Sequence, residues 1–287
     1  MTQIINGQAL AKIIKNNITK NLIKLNQGDE NCPQRPNLAI ILVGKRADSE
    51  LYVNLKEKEA KEVGIDTHIY KCSADILENE IFDIVIHLSN DDKIDAILVQ
   101  LPLPKNFDTA GIIRAIDPKK DVDRFHPQNL EQLFKTCDHQ HVIPPVHGAV
   151  LEILKSINCD LKNKQVIIIA NSDIFGKSLA KVLTCEQAEV NLSHPEDKNL
   201  ISLTKQADIL ISAIGQPKFI KANMIKKDAV IIDIGITKQD KKVLGDVDFN
   251  SVKDKASFIT PVPGGVGPMT IAMLFKNTLE LYKQRHR

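Results

Sequence analysis

The sequence predicts a two-lobed α/β protein in which parallel strands are connected by crossover helices. Short aliphatic runs typical of buried strands alternate with apolar residues at helical spacing. In the second half these runs recur about every 20 residues, which suits repeated strand–helix units. A chain of 287 residues with 43% hydrophobic content is long enough for two domains of ordinary size.

The first half carries the elements of one lobe. Apolar residues recur at helical spacing from Leu10 to Leu25, and the runs LAIILV (38–43) and DAILVQ (95–100) predict buried strands. A further helix is predicted from about Asp48 to Val63. Gly64 closes it, because glycine commonly ends a helix.

Four further aliphatic runs predict the parallel sheet of a second lobe. They are QVIIIA (165–170), AEVNLS (188–193), ADILISAIG (207–215) and AVIIDIG (229–235). A proline- and glycine-rich loop (257–270) then leads into a helical pattern that runs to the C-terminus. We expect domain junctions near residues 143–147 and 262–268, with the last helix returning to the first lobe.

Composition and charge argue against several classes of protein. Lys plus Arg total 38 against 36 Asp plus Glu, and the basic residues are spread, so nucleic acid is not expected as the main partner. No apolar run approaches the roughly 18 residues that cross a bilayer, and the N-terminus lacks the pattern of a signal peptide. We therefore expect a cytoplasmic protein that does not bind a membrane. The eight histidines show neither H-x-x-x-H nor H-E-x-x-H spacing, so no metal site is predicted.

The cysteines predict neither a disulfide framework nor a zinc site, because their number is odd and none forms a C-x-x-C pair. We expect reduced, mostly buried thiols. The five are Cys32, Cys72, Cys137, Cys159 and Cys185.

The stretch SELYVNLKEKEA is the first of three that place polar groups where a ligand could meet them. Tyr52 and Lys56 are four residues apart and Ser49 precedes Tyr52 by three, so the three share one helix face. That face offers a ring for stacking with an amine beside it. The alternative, a half-buried tyrosine and one more solvated lysine, is the commoner outcome for such a stretch.

The other two stretches follow predicted strands. In ILVQLPLP, Gln100 ends a buried strand, and the carboxyl ends of strands are where open α/β sheets bind ligands. A strand-terminating turn with an incidental amide fits this stretch equally well. In DPKKDVDRFHP, Asp121 and Asp123 stand at alternate positions of a loop, where carboxylates more often cap a helix than bind a ligand.

Taken together, these stretches resemble one family, the bifunctional methylenetetrahydrofolate dehydrogenase/cyclohydrolases known as FolD enzymes, over nearly the whole chain. The motifs that carry the resemblance are S-x-x-Y-V-x-x-K (49–56), VQLPLP (99–104), P-x-K-D-V-D with the following F-H-P (118–127), GDV (245–247) and ITPVPGGVGPMT (259–270). The last motif is long and nearly unique to the family.

The resemblance implies a fold and an activity. A catalytic, folate-binding α/β domain would span residues 1–146, completed by 268–287, and a Rossmann-type NAD(P)-binding domain would span 147–267. The enzyme would oxidise 5,10-methylenetetrahydrofolate to 5,10-methenyltetrahydrofolate with NADP or NAD and hydrolyse the product to 10-formyltetrahydrofolate. Members of the family usually form homodimers.

The resemblance also implies roles for individual residues. Lys56 would be the catalytic lysine, held by Gln100, while Tyr52 stacks on the folate and Asp123 binds the pterin ring. The implied substrate-binding residues are Ser49, Tyr52, Gln100, Leu101, Pro102, Asp123, Pro263, Gly264 and Gly265, the last three in a loop (261–265) lining the folate site. The implied cofactor-binding residues are Ala170, Asn171, Ser172, Gly176, Gly215 and Ile236.

The second lobe departs from the family pattern at its phosphate loop. Where relatives usually read V-x-G-R-S-x-I-V-G-x-P, this chain reads IIANSDIFGKS (168–178). Ala170 replaces the first glycine, and its methyl group would limit the approach of a pyrophosphate. Asn171 replaces an arginine that is often found there, and Asp173 adds a negative charge.

Two further departures lie after and before this loop in the sequence. Relatives often have H-S-(K/R)-T after the second strand of the lobe, but this chain has HPED (194–197), and an acidic rim disfavours a 2′-phosphate. The stretch IPPVHG (143–148) replaces P-C-T-P-x-G. It introduces His147, for which we expect a solvent-facing position at a helix start.

Three functional hypotheses follow. The first, which we favour, is a working bifunctional enzyme with a weakened preference for NADP, for which NAD is an alternative dinucleotide. The second is a cyclohydrolase whose dehydrogenase activity is weak or lost. The third is a folate-binding protein without turnover, against which the intact Lys56, Gln100 and Asp123 argue.

Overall fold

A computed structural model describes residues 2–27, 34–137, 142–239 and 242–286. The chain forms two compact units. The three-stranded unit comprises Lys12–Gln132, Asp138–Pro145 and Ile271–Arg287, and the six-stranded unit comprises Met1–Ala11, Leu133–Cys137 and Val146–Thr270. Within the described ranges, no helix has the length and apolar character needed to cross a membrane.

Helices and strands alternate along most of the chain, as predicted. The helices of the described residues are α1 (Gly7–Leu25), α2 (Ala47–Val63), α3 (Glu78–Asn90), α4 (Thr109–Ala115), α5 (Pro127–Lys135), α6 (Pro145–Ser156), α7 (Asp173–Cys185), α8 (Leu200–Thr204), α9 (Phe249–Val252) and α10 (Val266–Arg285). The strands are β1 (Gln3–Ile4), β2 (Asn37–Val43), β3 (Asp66–Cys72), β4 (Ala96–Val99), β5 (Gln165–Ala170), β6 (Glu189–Ser193), β7 (Ile209–Ala213), β8 (Val230–Asp233), β9 (Thr237–Gln239), β10 (Lys242–Leu244) and β11 (Phe258–Ile259).

The three-stranded unit is built on a parallel sheet in the order β3-β2-β4. The central strand β2 is aliphatic and buried because helices pack on both of its faces. One of these helices is α10, whose Leu274 and Phe275 lie in the same core cluster as Leu38 and Ile40 of β2. The predicted return of the C-terminal helix to the first lobe is therefore confirmed.

The six-stranded unit has a parallel sheet in the order β1-β11-β8-β7-β5-β6. From β5 the chain passes to β6 on one side, and later strands continue on the other side, starting with β7. The carboxyl end of β5 is thus a topological switch point, the place where open α/β sheets bind ligands. The strands β9 and β10 form a separate antiparallel pair.

The prediction of reduced thiols is wrong for two cysteines. Cys137, which follows α5, and Cys185, the last residue of α7, form a disulfide with their Cα atoms 5.5 Å apart. The two are 48 residues apart in sequence, and only the fold brings them together. Cys72 and Cys159 are free and half-buried, and burial raises the pKa of both thiols. Cys32 lies outside the described residues.

Candidate active site

The helix α2 carries the first of the three predicted polar stretches, and its three polar residues lie on one face of the helix. Ser49, Tyr52 and Lys56 follow one another at spacings of three and four residues, so all three lie on the same side of the helix. Ser49 is buried, while Tyr52 and Lys56 are half-buried. Gly64 ends α2 in the left-handed conformation, at a φ of 93°, and its N–H donates to the carbonyl of Ala60 as predicted.

Lys56 is held by Gln100. The Lys56 Nζ donates a hydrogen bond of 2.8 Å to Oε1 of Gln100. Gln100 is fixed in turn, because its backbone N–H donates to Ile41 O at 2.9 Å and its Nε2 donates to Leu101 O at 2.8 Å. These contacts orient the amide with its oxygen toward the lysine. Lys56 is therefore not the solvated surface lysine of the alternative interpretation.

The loop after Gln100 turns away from the sheet at Leu101 and Pro102. The peptide bond between these two residues is cis, and both side chains are exposed. In the sheet order, β4 lies beside the central strand β2, so Gln100 and this loop stand at the carboxyl edge where the strand order reverses. Gln100 thus directly follows a buried strand, as expected, and its binding of a ligand stays a prediction.

Asp121 and Asp123 differ although they are two residues apart. Asp121 is buried and accepts hydrogen bonds from the N–H of Arg124 (3.0 Å), the N–H of His126 (2.8 Å) and Nδ2 of Asn129 (3.0 Å). It shapes the loop and the start of α5, the helix-capping role that the sequence left open. In the part of the chain that the structure describes, Asp123 accepts no hydrogen bond.

The electrostatic states of Lys56 and Asp123 are linked. Burial raises the pKa of Asp123 to about 6, the Lys56 ammonium opposes this rise, and the charge of Asp121 adds to it. Burial lowers the pKa of Lys56, and the Asp123 carboxylate opposes that fall. The site thus holds an acid and a base whose pKa values have both moved toward neutrality.

The other predicted folate residues lie in the six-stranded unit, in the loop that precedes α10. Gly264 has a φ of 104°, which favours glycine. Gly265 is packed so closely that a Cβ there would meet the carbonyl oxygen of Pro261 at 2.5 Å. Pro263 is exposed and follows a cis peptide bond. The backbone of this loop therefore depends on its two glycines.

The predicted phosphate loop stands at the switch point of the six-stranded sheet. Ala170 is fully buried at the end of β5, and Asn171 Nδ2 donates to the carbonyl of Ile214, in the loop after β7. Ser172 is the N-cap of α7, and its Oγ accepts from the N–H of Phe175 at 3.4 Å. The loop thus leads from the carboxyl end of a strand directly into the positive end of a helix dipole.

Gly176 allows α7 to pack closely on the sheet. A Cβ at this position would meet Cδ1 of Leu192, in β6, at 2.5 Å. Close helix–strand packing is the role of the third glycine in dinucleotide-binding loops. The helix start, its cap and this glycine together fit a dinucleotide, even though the first glycine of the pattern is Ala170.

Comparisons with known proteins bear on both units. A family model described as tetrahydrofolate dehydrogenase/cyclohydrolase, catalytic domain, matches residues 5–123. A second, described as the NAD(P)-binding domain of tetrahydrofolate dehydrogenase/cyclohydrolase, matches residues 144–286. The chain belongs to the tetrahydrofolate dehydrogenase/cyclohydrolase family.

Individual members of this family match over their full length. The bifunctional protein FolD of Pediococcus pentosaceus is 42% identical over 285 residues, 99% of each protein. The crystal structure of FolD from Campylobacter jejuni is 37% identical with a TM-score of 0.93, over 99% of this chain and 100% of that one. The Trypanosoma brucei FolD, solved with NADP cofactor and an inhibitor, is 34% identical with a TM-score of 0.94, over 100% of this chain and 99% of that one.

The tetrahydrofolate dehydrogenase/cyclohydrolase family was predicted from motifs, and that prediction is confirmed. The sequence missed a pair of buried carboxylates beside the loops that carry the two remaining predicted cofactor residues, Gly215 and Ile236. Asp246 accepts from the N–H groups of Ile214 and Gln216 at 2.8 and 2.9 Å, on either side of Gly215. The other is Asp233, which accepts from three backbone N–H groups, those of Gly235, Asp246 and Val247.

These carboxylates shape the loops that carry the cofactor residues. Burial raises the pKa of Asp233 to about 7, and its three N–H donors oppose that rise. Gly215 has a φ of 67° with open space where a Cβ would stand, and Ile236 is 43% exposed. The signal that could have found Asp246 was the GDV motif, to which the sequence assigned no role.

The charge at the start of α7 is more balanced than the sequence indicated. The Asp173 carboxylate pairs with Lys177 Nζ at 2.8 Å and with His194 Nε2 at 3.1 Å. The hydrogen bond and the charge of Lys177 lower the pKa of Asp173. Asp197, another acid predicted to repel phosphate, accepts from Ser193 Oγ and the His194 N–H, which also lowers its pKa.

The prediction that His147 faces solvent is wrong. His147 lies in the first turn of α6 and is fully buried. Its Nε2 is 2.7 Å from Oγ of Ser178, and its ring meets the ring of Phe175 edge-on at 5.1 Å. The prediction considered the start of α6 alone, whereas residues of α7 pack over the His147 side chain.

Proposed function

We propose that the chain oxidises 5,10-methylenetetrahydrofolate to 5,10-methenyltetrahydrofolate with a nicotinamide dinucleotide and hydrolyses the product to 10-formyltetrahydrofolate. The observation that carries this proposal is the hydrogen bond of 2.8 Å between Lys56 and Gln100, together with Asp123, a carboxylate within electrostatic reach of that lysine. The domains would be those expected from the sequence, residues 1–146 with 268–287, and 147–267.

Asp123 is suited to holding the pterin. A half-buried carboxylate without a hydrogen-bond donor among the described residues can accept from N–H groups of a ligand. Oxidation of the substrate leaves positive charge on the folate bridge, and an ionised Asp123 would stabilise that charge. Its pKa of about 6 means that the carboxylate is ionised above that pH. Tyr52, one turn from Lys56, would stack on the ring.

Lys56 is suited to moving the proton of hydrolysis. Water attacks the bridge carbon and loses one proton. The hydroxyl of the adduct then gives up its proton as one C–N bond of the bridge opens, the released nitrogen takes up a proton, and one proton is released overall. An amine manages this proton best when its pKa lies near the working pH, and burial lowers the pKa of Lys56. Gln100 accepts one N–H of the lysine, which directs the rest of the amine into the site.

The dinucleotide supplies the hydride acceptor for the first reaction. The phosphates of the dinucleotide would bind at Asn171, Ser172 and the start of α7. Gly215 and Ile236 would contact its nicotinamide end. NADP or NAD fits this arrangement. The relative from Trypanosoma brucei was solved with NADP.

The test of the main proposal is Lys56→Met. General acid–base catalysis contributes roughly 10²- to 10⁴-fold, so cyclohydrolase turnover, followed by loss of methenyl-folate absorbance, should fall by at least about 10²-fold. The matched control is Lys58→Met, which removes the same charge from an exposed position of the same helix. Turnover at the wild-type rate in Lys56→Met would show that this lysine does not manage the proton.

We further propose that the enzyme uses NAD at least as well as NADP. The Asp173 Oδ1 lies 3.1 Å from the His194 Nε2. The two residues stand where α7 begins and β6 ends, the region that binds the adenosine ribose in dinucleotide-binding folds. A carboxylate there accepts ribose hydroxyls and repels a 2′-phosphate. Asp173→Asn should raise kcat/KM with NADP several-fold, because it removes the repulsion of the 2′-phosphate, and should lower the value with NAD, because an amide is a weaker acceptor for the ribose hydroxyls. Asp254→Asn, an exposed acid of the same unit, is the control. An equal response to both dinucleotides would contradict this assignment.

The second candidate is a cyclohydrolase with weak or lost dehydrogenase activity, favoured by the altered phosphate loop around Ala170. Two assays on the purified protein distinguish the candidates: loss of methenyl-folate without dinucleotide, and oxidation of methylene-folate with NAD and NADP in parallel. Activity in the first alone would support the second candidate. Activity in neither would leave a folate-binding protein.

The assembly is also a proposal. A homodimer is expected from the resemblance, and light scattering coupled to gel filtration should then give twice the chain mass of 32.0 kDa. A monomer mass would contradict it. The cytoplasmic location expected from the sequence stays a prediction.

A further inference from the structure

His147 packs against the first two turns of α7. It lies in the first turn of α6, fully buried, with Nε2 at 2.7 Å from Oγ of Ser178. Its ring also contacts the ring of Phe175 edge-on. Ser178 and Phe175 belong to the first two turns of α7, so one side chain contacts the helix start at two points.

The hydrogen bonds around Ser178 define which atom donates. The Ser178 Oγ lies 2.7 Å from the carbonyl of Ile174 and 3.1 Å from that of Phe175, and its single proton goes to one of these oxygens. The contact with His147 is therefore a donation from Nε2–H of the ring to the hydroxyl oxygen. Burial lowers the pKa of His147 to about 3, so the ring stays neutral and keeps one N–H for this bond.

The chain of contacts from His147 ends at the predicted phosphate loop. Ser178 contacts the carbonyl groups of the first turn, and a serine hydroxyl bonded four residues back tends to bend a helix. The N–H of Phe175 donates to the Ser172 Oγ, which caps the same turn. Any shift of Ile174 or Phe175 would therefore reorient the amides that face the loop.

We infer that His147 and Ser178 are positioning residues for the dinucleotide, which set the direction of the first turn of α7. The inference rests on the proposed dehydrogenase function. A loop that has lost its first glycine, at Ala170, has less freedom to adapt to a pyrophosphate. Buried support from His147 fixes the helix start so that its N–H groups meet the phosphates without rearrangement.

The experiment measures dissociation constants for NAD and NADP by calorimetry, with the full-length chain. His147→Leu and Ser178→Ala each remove the bond and should weaken binding about five- to tenfold, the effect of roughly one hydrogen bond. His147→Gln, whose amide can donate to Ser178, should restore affinity to within about twofold. In dehydrogenase assays the loss should appear in KM for the dinucleotide and not in kcat.

The matched control is Thr204→Val. Thr204 is a buried residue of α8 whose hydroxyl donates to a carbonyl of its own helix, as Ser178 does, but far along the chain from the phosphate loop. It should lose stability and keep its affinity. If His147→Leu and Ser178→Ala bind both dinucleotides as tightly as Thr204→Val does, the pair is structural only and the inference fails alone. If the unmodified chain binds neither dinucleotide, the dehydrogenase proposal fails with it.

Discussion

Asp123→Asn should make the free enzyme more stable while removing its activity. The pKa of Asp123 rises from 3.8 to about 6 in the native state, chiefly by burial. At neutral pH the ionised group therefore costs the native state about 3 kcal/mol, since one pKa unit corresponds to about 1.4 kcal/mol. Asparagine removes that net cost, in which the attraction to Lys56 is already included, but it leaves a half-buried amide without hydrogen-bond partners among the described residues. We therefore expect a net gain of about 1–2 kcal/mol, roughly 2–6 °C in Tm.

The pH dependence gives the sign of the effect. Below about pH 6 the native carboxyl of Asp123 takes up a proton, whereas the unfolded chain does so only near 3.8. The native wild type thus binds more protons than its unfolded state in this pH range. The free-energy cost of Asp123 to the native state therefore decreases as the pH falls. The advantage of Asp123→Asn should decrease by about 1.4 kcal/mol between pH 7.5 and pH 5.0.

The assay is urea unfolding followed by circular dichroism at the two pH values. Asp121→Asn is the matched control, because Asp121 stands on the same loop but accepts three hydrogen bonds, so its loss should destabilise the protein at both values. The reasoning is refuted if Asp123→Asn is less stable than wild type at pH 7.5, or if the difference does not change with pH.

Three further outcomes are expected. Gly176→Ala should lose about 1–3 kcal/mol in urea unfolding, because its methyl group would meet Leu192 at 2.5 Å, and Leu192→Ala should recover part of the loss. Thiol titration of the denatured protein should give two more thiols after reduction, from Cys137 and Cys185. Opening that 48-residue loop should lower stability by up to about 4 kcal/mol. Asp246→Asn should lose at least about 2 kcal/mol and weaken dinucleotide binding in calorimetry, since the carboxylate holds two N–H groups beside Gly215.

The fold was largely predictable because aliphatic runs mark strands wherever helices cover both faces of a sheet. QVIIIA (165–170) was predicted residue for residue as β5, and the other predicted strands differ from the observed ones by at most two residues at either end. The strand β3 was missed, because its sequence DTHIYKC lies at the edge of its sheet with its side chains only partly buried. Strands were predicted from runs of aliphatic residues, and a partly exposed edge strand such as β3 lacks such a run.

The site was predictable only in part, because sequence patterns report contacts between neighbouring residues and not contacts between residues that are far apart in the sequence. Tyr52 and Lys56 share a face because of helix geometry, which sequence spacing reports directly. The pairing of Lys56 with Gln100 spans 44 residues, and that of His147 with Ser178 spans 31, so neither follows from local pattern. Two family motifs contain the members of the first pair. In the second pair, Ser178 stands where the family pattern has proline, and His147 stands at a position that the pattern leaves open.

Hydrogen-bond donors separate three structural carboxylates from Asp123, for which we propose a role in substrate binding. Asp121 accepts three hydrogen bonds, and so do Asp233 and Asp246, so each is saturated by the loop that it shapes. Asp123 accepts none within the described residues, yet burial raises its pKa as it does that of Asp233. A carboxylate that bears this cost without protein donors is offset in the free enzyme only by its attraction to Lys56. We therefore propose that a ligand supplies the missing N–H groups, and we expect Asp123, not Asp121, against the pterin.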